Sequence, residues 1–376
     1  MKAGLITFHY AHHYGAQLQA YALMKTVQSL GVECEIINYV RPDTETGNRL
    51  FKHGIGLRQL LSNIHTLIHY KSFKNRQERY SDFVKEQMSL SAKSYTTFEE
   101  LVKEPPQYDA YICGSDQIWN PFIYHTGDFD PSFFMPFAGK SRKIAYAPSF
   151  GVSSMPEDKK EALKAYLSDF DFLSVREKQG EAIIWDLLKR PSLTVLDPTL
   201  LLDASKWAEI AIKPKYDEPY ILCYFVSSPS PWFKIIKQIS EASKLSIVTL
   251  CGSRASIPGS VSTILDAGPR EFLGLFQHAS MVCTNSFHGT VFSINNKKDF
   301  YSFSSFEHNS KTVNSRLHSI LGILGLENRM MTSDMADLDV ESAVAEHNRR
   351  IDYTKVDELL KAERDKSIQY LSDALK

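Results

Sequence analysis

The sequence predicts two successive α/β units of the doubly wound kind, and three observations carry that reading. The chain opens with strand, loop, helix and strand inside its first 40 residues. Short apolar runs then alternate with segments of helical spacing, the pattern of parallel strands joined by helical crossovers. Finally, the alternation restarts after a polar stretch, Ile212-Lys213-Pro214-Lys215-Tyr216-Asp217-Glu218-Pro219. At 376 residues the chain is long enough for two or more domains at the usual ~150 residues each.

The elements follow in order. Ala3 to Thr7 is an apolar strand, and Phe8 to Gly15 a polar, aromatic loop. Leu18, Tyr21, Ala22, Met24 and Val27 sit at helical spacing, with Gly31 placed to end the helix. Cys34 to Val40 is the next strand. Further strands are expected at Tyr108 to Cys113, Lys143 to Ala147, Phe172 to Val175 and Leu193 to Leu196, with helices at Pro156 to Leu167 and Ile183 to Leu188. The second unit offers strands at Tyr220 to Val226, Ser246 to Leu250, Ser280 to Thr284 and Asp299 to Phe303. The expected domains are 1–205 and 206–376, with helices at the C-terminus that pack back on the first unit.

Residues 49–90 interrupt this rhythm with a basic helical insertion. Arg49, Lys52, Arg58, Lys71, Lys74, Arg76 and Arg79 face a single acid, Glu78, within 49–79. Leu57, Leu60, Leu61, Ile64, Leu67 and Ile68 give it one apolar face. Two readings stand: a helical cap with a solvated basic face, or a peripheral contact with a membrane surface or polyanion.

Composition excludes several classes. The proportions, 43% apolar and 23% charged, are those of globular domains and not of disordered, collagenous or coiled-coil chains. Lys+Arg 43 against Asp+Glu 44 leaves a net charge of -1, so no nucleic-acid partner is expected. The five cysteines form no C-x-x-C pair, which fits a reducing, cytoplasmic setting. No signal pattern and no membrane-spanning run is present.

Ligands of open parallel sheets bind at the carboxyl ends of strands, beside helix N-termini that favour anions. Four loops answer that description. Thr284 to Thr290 places Ser286 as an N-cap, His288 in the first helical turn and Gly289 where the backbone must stay open. Gly114 to Pro121 offers Asp116, Gln117 and Asn120 for hydrogen bonding and Trp119 as a flat apolar face. That mixture suits a sugar, and equally a turn with Trp119 plugging the core. Arg176, after Ser174-Val175, pairs with Glu177 or forks onto a carboxylate or phosphate. The fourth is the N-terminal loop with Tyr14, Gly15 and Gln17. Its His9, His12 and His13 match no ligand spacing, and no metal is expected.

Taken together, Tyr14 to Leu23, Gly114 to Pro121, Ser174 to Glu177, Asp197 to Leu202 and Thr284 to Ser293 resemble the polysaccharide pyruvyl transferase family. Arg316 within Asn314-Ser315-Arg316-Leu317 also fits that pattern. The resemblance covers about residues 1–330. It implies two Rossmann-like domains facing across a cleft, in the glycosyltransferase-B manner. It implies transfer of pyruvate from phosphoenolpyruvate onto two hydroxyls of a hexose in a surface polysaccharide, with phosphoenolpyruvate as co-substrate and no cofactor. His288 becomes the acid/base, and Asp116 the group that contacts or deprotonates the acceptor. Arg176, Ser286, Phe287, Gly289, Arg316 and Lys311 become donor contacts. Gln117, Trp119, Asn120, Tyr14, Gly15 and Gln17 become acceptor contacts. His13 stands where asparagine is expected. Residues 49–79 would suit a lipid-linked acceptor at the inner face of the membrane. A nucleotide-sugar glycosyltransferase and a non-catalytic glycan-binding subunit share the architecture and remain alternatives.

Overall fold

The structure is a computed structural model that describes residues 1–51, 54, 56–124, 126–251, 256–305, 310–332 and 350–376, without the side chains of 44, 45, 58 and 310–313. The chain divides into two units, Met1–Leu202 with Glu363–Lys376, and Asp203–Ala362.

The first unit contains β1 (Lys2–Ile6), α1 (Tyr14–Ser29), β2 (Glu33–Tyr39), α2 (Pro42–Gly47), α3 (Leu57–Ile68), α4 (Tyr70–Gln87), β3 (Leu90–Tyr95), α5 (Phe98–Lys103), β4 (Ala110–Cys113), β5 (Arg142–Ala145), α6 (Glu157–Ser168), β6 (Phe172–Val175), α7 (Lys178–Leu188) and β7 (Leu193–Thr194). Its strands form one parallel sheet in the order β3-β2-β1-β4-β5-β6-β7. The second unit contains α8 (Ala204–Ala208), β8 (Tyr220–Phe225), α9 (Phe233–Ser243), β9 (Ser246–Cys251), β10 (Ser262–Ile264), α10 (Pro269–His278), β11 (Met281–Thr284), α11 (Phe287–Asn295), β12 (Asp299–Phe303), α12 (Ser310–Ile323) and β13 (Met330–Met331). These strands form a parallel sheet in the order β10-β9-β8-β11-β12-β13. The long α13 (Tyr353–Ala374) follows, and its last turns belong to the first unit.

The central strands are legible because helices cover both faces of each sheet, so every position must be apolar. All four residues of β4 and all six of β8 are buried. The edge strands escape that rule. In β3, Leu-Ser-Ala-Lys-Ser-Tyr, only Ser91 and Tyr95 are buried, and no β-branched residue marks it as a strand. β10 and β13 are too short to carry a period.

The end of the chain completes the first sheet. Leu196 N–H donates to Ser367 Oγ at 3.0 Å, Tyr370 Oη donates to the Ala145 carbonyl at 2.9 Å, and Arg364 Nε donates to the Leu200 carbonyl at 2.7 Å. Leu371 and Ala374 are fully buried there.

The insertion corrects one expectation. A capping helix should turn its apolar face inward, but α3 does the reverse. Leu57, Leu60, Leu61, Ile64, Leu67 and Ile68 are exposed, while Ser62 and Thr66 are buried. A hydroxyl can face inward because Thr66 Oγ1 donates to the Ser62 carbonyl at 3.0 Å, keeping both polar atoms satisfied within the helix.

Leu371→Ala should lower stability by about 2–5 kcal/mol, the cost of a core leucine truncation. A fall in the unfolding midpoint of the full chain checks it.

Candidate active site

In the first sheet β2 and β3 lie on one side of β1, and β4 on the other. The chain direction of winding therefore reverses between β1 and β4. Loops leaving the carboxyl ends of such a pair diverge and leave a crevice. One buried amide ties this crevice together. Gln19 Nε2 donates to Thr7 Oγ1 at 2.8 Å and to the Ala16 carbonyl at 2.9 Å. Its Oε1 accepts from Ser115 N–H at 2.9 Å. Gln19 thus joins the loop after β1, the start of α1 and the loop after β4. The motif containing it was visible in the sequence, but nothing there separates it from its neighbours Gln17 and Leu18.

The loop after β4 is a tightly constrained turn. Gly114 has φ +124°, and a Cβ there would stand 1.9 Å from the Tyr146 carbonyl oxygen, so no other residue fits. Asp116 adopts the left-handed region at φ +65°, which short carboxylates tolerate. Its Oδ1 accepts from Gln117 N–H at 2.9 Å. Asn120 Nδ2 donates to Gln117 Oε1 at 2.9 Å, while Asn120 Oδ1 accepts from Phe122 N–H at 3.0 Å. The Asn120 amide is thereby used within the turn. Asp116 and Gln117 are the half-buried members of this loop.

Trp119 is a correction. It is fully buried, stacked on Phe134 at 5.5 Å and 4° and flanked by Phe150 and Phe170. An indole with no open face cannot stack beneath a sugar. It anchors the turn in the core, the other role the sequence allowed.

Arg176 is a second correction. Its guanidinium is buried, and Nη1 lies 2.9 Å from Asp197 Oδ2 while Nε lies 2.9 Å from Glu177 Oε1. Asp116 Oδ1 approaches to 3.9 Å. Burial works to lower its pKa, but Glu177, Asp197 and Asp116 more than offset this and raise it. The fork expected on a donor phosphate is turned to this chain's own carboxylates. Arg176 instead holds the turn and the segment after β7 in place. Asp197, which the sequence showed only as part of a motif, is the hub. It is buried, accepts from Thr199 N–H at 3.0 Å and Thr199 Oγ1 at 2.7 Å, and lies 3.5 Å from Ser115 Oγ.

The N-terminal loop packs against the insertion. Tyr14, Gly15 and Gln17 are buried in the first turn of α1. Tyr14 packs against Tyr80 of α4 at 5.3 Å, with the Arg76 guanidinium 5.4 Å over its ring. Their burial gives Tyr14 and Gly15 a packing role here. His13 is the N-cap of α1: its Nδ1 accepts from Ala16 N–H at 3.3 Å. That is the bond an asparagine side chain makes at an N-cap, so the imidazole serves in its place. His12 stacks on Tyr80 at 5.1 Å and 15°. Burial, with the Arg76 charge beside it, pushes its pKa down to about 4. His9 is buried, bonded at 3.3 Å to Asn38 Oδ1, and its pKa is also lowered, chiefly by burial. Among the described residues no group of three or more His, Cys, Asp or Glu is placed to hold a metal ion.

The second sheet repeats the logic. β9 and β10 lie on one side of β8, and β11 on the other, so winding reverses between β8 and β11. Here the tie is Asn285, missed as an individual residue by the sequence. It is buried, its Oδ1 accepts from Val226 N–H at 2.8 Å, and its Nδ2 donates to Ser227 Oγ at 2.6 Å. Ser286 caps α11, its Oγ accepting from Gly289 N–H at 3.3 Å. His288 therefore lies in the first turn, at the positive end of the helix dipole. It is 4% exposed and meets Phe287 edge-on at 5.3 Å. Gly289 is explained by packing: a Cβ there would stand 2.3 Å from Thr284 Oγ1, which donates to the Tyr224 carbonyl and accepts from Ser286 N–H at 3.1 Å. Arg316 is half-buried on α12, and the Lys311 side chain lies outside the described residues.

The model of the polysaccharide pyruvyl transferase family matches residues 13–306. A search of curated proteins finds no match. Among solved structures, a putative UDP-N-acetylglucosamine 2-epimerase from Listeria monocytogenes is similar at TM-score 0.51 and 10% identity, over 96% of this chain and 91% of that one. The UDP-GlcNAc 2-epimerase of Methanocaldococcus jannaschii aligns at TM-score 0.46 and 11% identity, over 94% and 93%. MurG of Acinetobacter baumannii aligns at TM-score 0.44 and 9% identity, over 99% and 98%. The first of these bears on the fold alone, and the fold is of the two-Rossmann, glycosyltransferase-B class.

Trp119→Ala should cost about 3–5 kcal/mol of stability, read as a lowered unfolding midpoint, whereas a sugar-stacking residue would change KM and leave the midpoint alone. Stability should also fall as pH drops from about 6.5, the ordinary histidine value, to about 4, because the folded state holds His12 neutral while the unfolded chain takes up a proton. His12→Phe, which keeps the stack on Tyr80, should flatten that fall in a pH series of melting curves.

Proposed function

The chain belongs to the polysaccharide pyruvyl transferase family, and from that premise we propose that it moves the pyruvyl group of phosphoenolpyruvate onto two hydroxyls of a hexose in a surface-polysaccharide repeat. In this reaction the methylene of phosphoenolpyruvate takes a proton, and positive charge develops at C2. One sugar hydroxyl adds there, the C2–O bond to phosphate breaks, and a second hydroxyl closes the ketal ring as phosphate departs. The chemistry needs a proton donor, a base for the hydroxyls and positive potential for the phosphate and carboxylate.

The observation that carries this reading is the place of His288. It stands in the first turn of α11, at the carboxyl end of β11, where the second sheet reverses its winding. A histidine is the side chain whose ordinary pKa suits proton transfer near neutral pH. We assign it the proton transfer. The N-terminus of α11, from Ser286 through Phe287 and Gly289, supplies positive potential for the donor's anionic groups. Arg316 of α12 is assigned a cationic contact to the donor, as is Lys311, whose side chain lies outside the described residues. Asp116, half-buried on the turn after β4, is assigned to the acceptor hydroxyl, with Gln117 beside it. Arg176 acts through Asp116 and Asp197 as a positioning residue.

We place the reaction in the cytoplasm, with the glycan presented on a lipid carrier at the inner face of the membrane. None of the five cysteines is joined in a disulfide, which supports a reducing setting. Among the described residues no helix is long and apolar enough to cross a membrane.

His288→Gln should reduce ketal formation by about 10²–10⁴-fold, the usual worth of a general acid or base, without lowering the melting temperature. Phosphate release from phosphoenolpyruvate, measured with and without glycan acceptor, checks it. Near-parental turnover would remove His288 from this role.

A further inference from the structure

The exposed face of α3 has the wrong polarity for a capping helix and the right polarity for a lipid surface. Leu57, Leu60, Leu61, Ile64, Leu67 and Ile68 recur at the three- and four-residue spacing of one helical stripe, and their exposure runs from 43% at Ile64 to 73% at Leu57. Scattered exposed apolar residues need no explanation, but four leucines and two isoleucines along one stripe do. The helix is not simply loose on the surface. It packs on α4, and the residues it turns inward are Ser62 and Thr66. Next to the stripe Phe51 and Tyr70, both exposed, stack on each other at 6.3 Å and 20°. Aromatic rings of this kind favour the boundary between water and hydrocarbon.

Charge decides what covers the stripe. Residues 49–79 hold seven cations against one acid, a net of +6 in a chain whose net charge is -1. Lys71 and Lys74 of α4 are exposed. A second copy of this chain, docked face to face through the same stripe, would bring two such segments together and be repelled. An anionic lipid surface meets both requirements at once: its acyl boundary takes the leucine face and its headgroups take the cations.

We propose that α3 is an interfacial anchor that seats this protein on anionic membranes, with Leu57, Leu60, Leu61, Ile64, Leu67 and Ile68 entering the acyl boundary. The exposed Lys71 and Lys74 lie against the headgroups. The anchor deepens the reading of a lipid-linked acceptor, but a vesicle assay contains neither donor nor glycan. Its result is therefore separate from that of the transferase assay.

The test is co-sedimentation of the full chain with phosphatidylglycerol vesicles and with phosphatidylcholine vesicles at low salt. Binding is expected to the anionic vesicles and to be weaker on the neutral ones. Lys71→Gln with Lys74→Gln should weaken anionic binding roughly twenty-five-fold, at about fivefold per cation near such a surface. Leu60→Gln with Leu67→Gln should abolish it. Both pairs lie on the exposed surface, so their melting temperatures should match the parent. No binding to phosphatidylglycerol vesicles, or binding unchanged by the leucine pair, would overturn the proposal. So would self-association in ultracentrifugation that the leucine pair dissolves, which would assign the stripe to a second copy.

Discussion

A guanidinium sealed from solvent must be neutralised inside the fold, and the first unit is arranged around that requirement. Arg176 is held by Asp197 and Glu177, with Asp116 close by. Taking one carboxylate away would leave a buried charge uncompensated, at a cost of about 3–5 kcal/mol. The three acids come from the turn after β4, the end of β6 and the segment after β7. One cation therefore fixes three strand ends at once. It also sets the conformation of the loop that presents Asp116.

The two sheets solve a shared problem with different residues. Where winding reverses, neighbouring loops leave the strands in opposite directions, and their backbone groups lose ladder partners. A buried primary amide bridges the gap each time, Gln19 in the first unit and Asn285 in the second. An amide suits the task because it donates and accepts from one rigid plane. Asp116, on the turn after β4, and His288, in the first turn of α11, sit beside these bridges. Buried hydrogen bonds thus fix the segments that carry the two groups proposed for the transfer.

Much of this was legible in the sequence, and the reasons differ by residue. The bounds of β6 and β12 are legible because each is a short, mostly apolar run, broken only by Ser174 in β6 and by Asp299 and Ser302 in β12. Ser286 was readable as an N-cap, since a hydroxyl before an apolar helical run answers a local need for a hydrogen-bond acceptor. His13 shows the same need met by a different acceptor. Trp119 and Arg176 were not decidable. An indole stacks equally well on a sugar or on Phe134, and a guanidinium forks equally well onto a phosphate or onto Asp197. Pattern reports what a side chain can bind, while only packing reports which partner is within reach.

By itself the sequence determined the class of fold, the order of the central strands and helices, and the motif set that places the chain in its family. These depend on periodicity and on interactions within a few residues, so they can be read along the chain. The tertiary structure alone decided that Trp119 belongs to the core, that Arg176 answers to three carboxylates, and that α3 turns its leucines outward. Those outcomes depend on contacts between residues far apart in the chain, such as Trp119 with Phe170 or Arg176 with Asp197. Their free energy exists only once the intervening strands have been brought together.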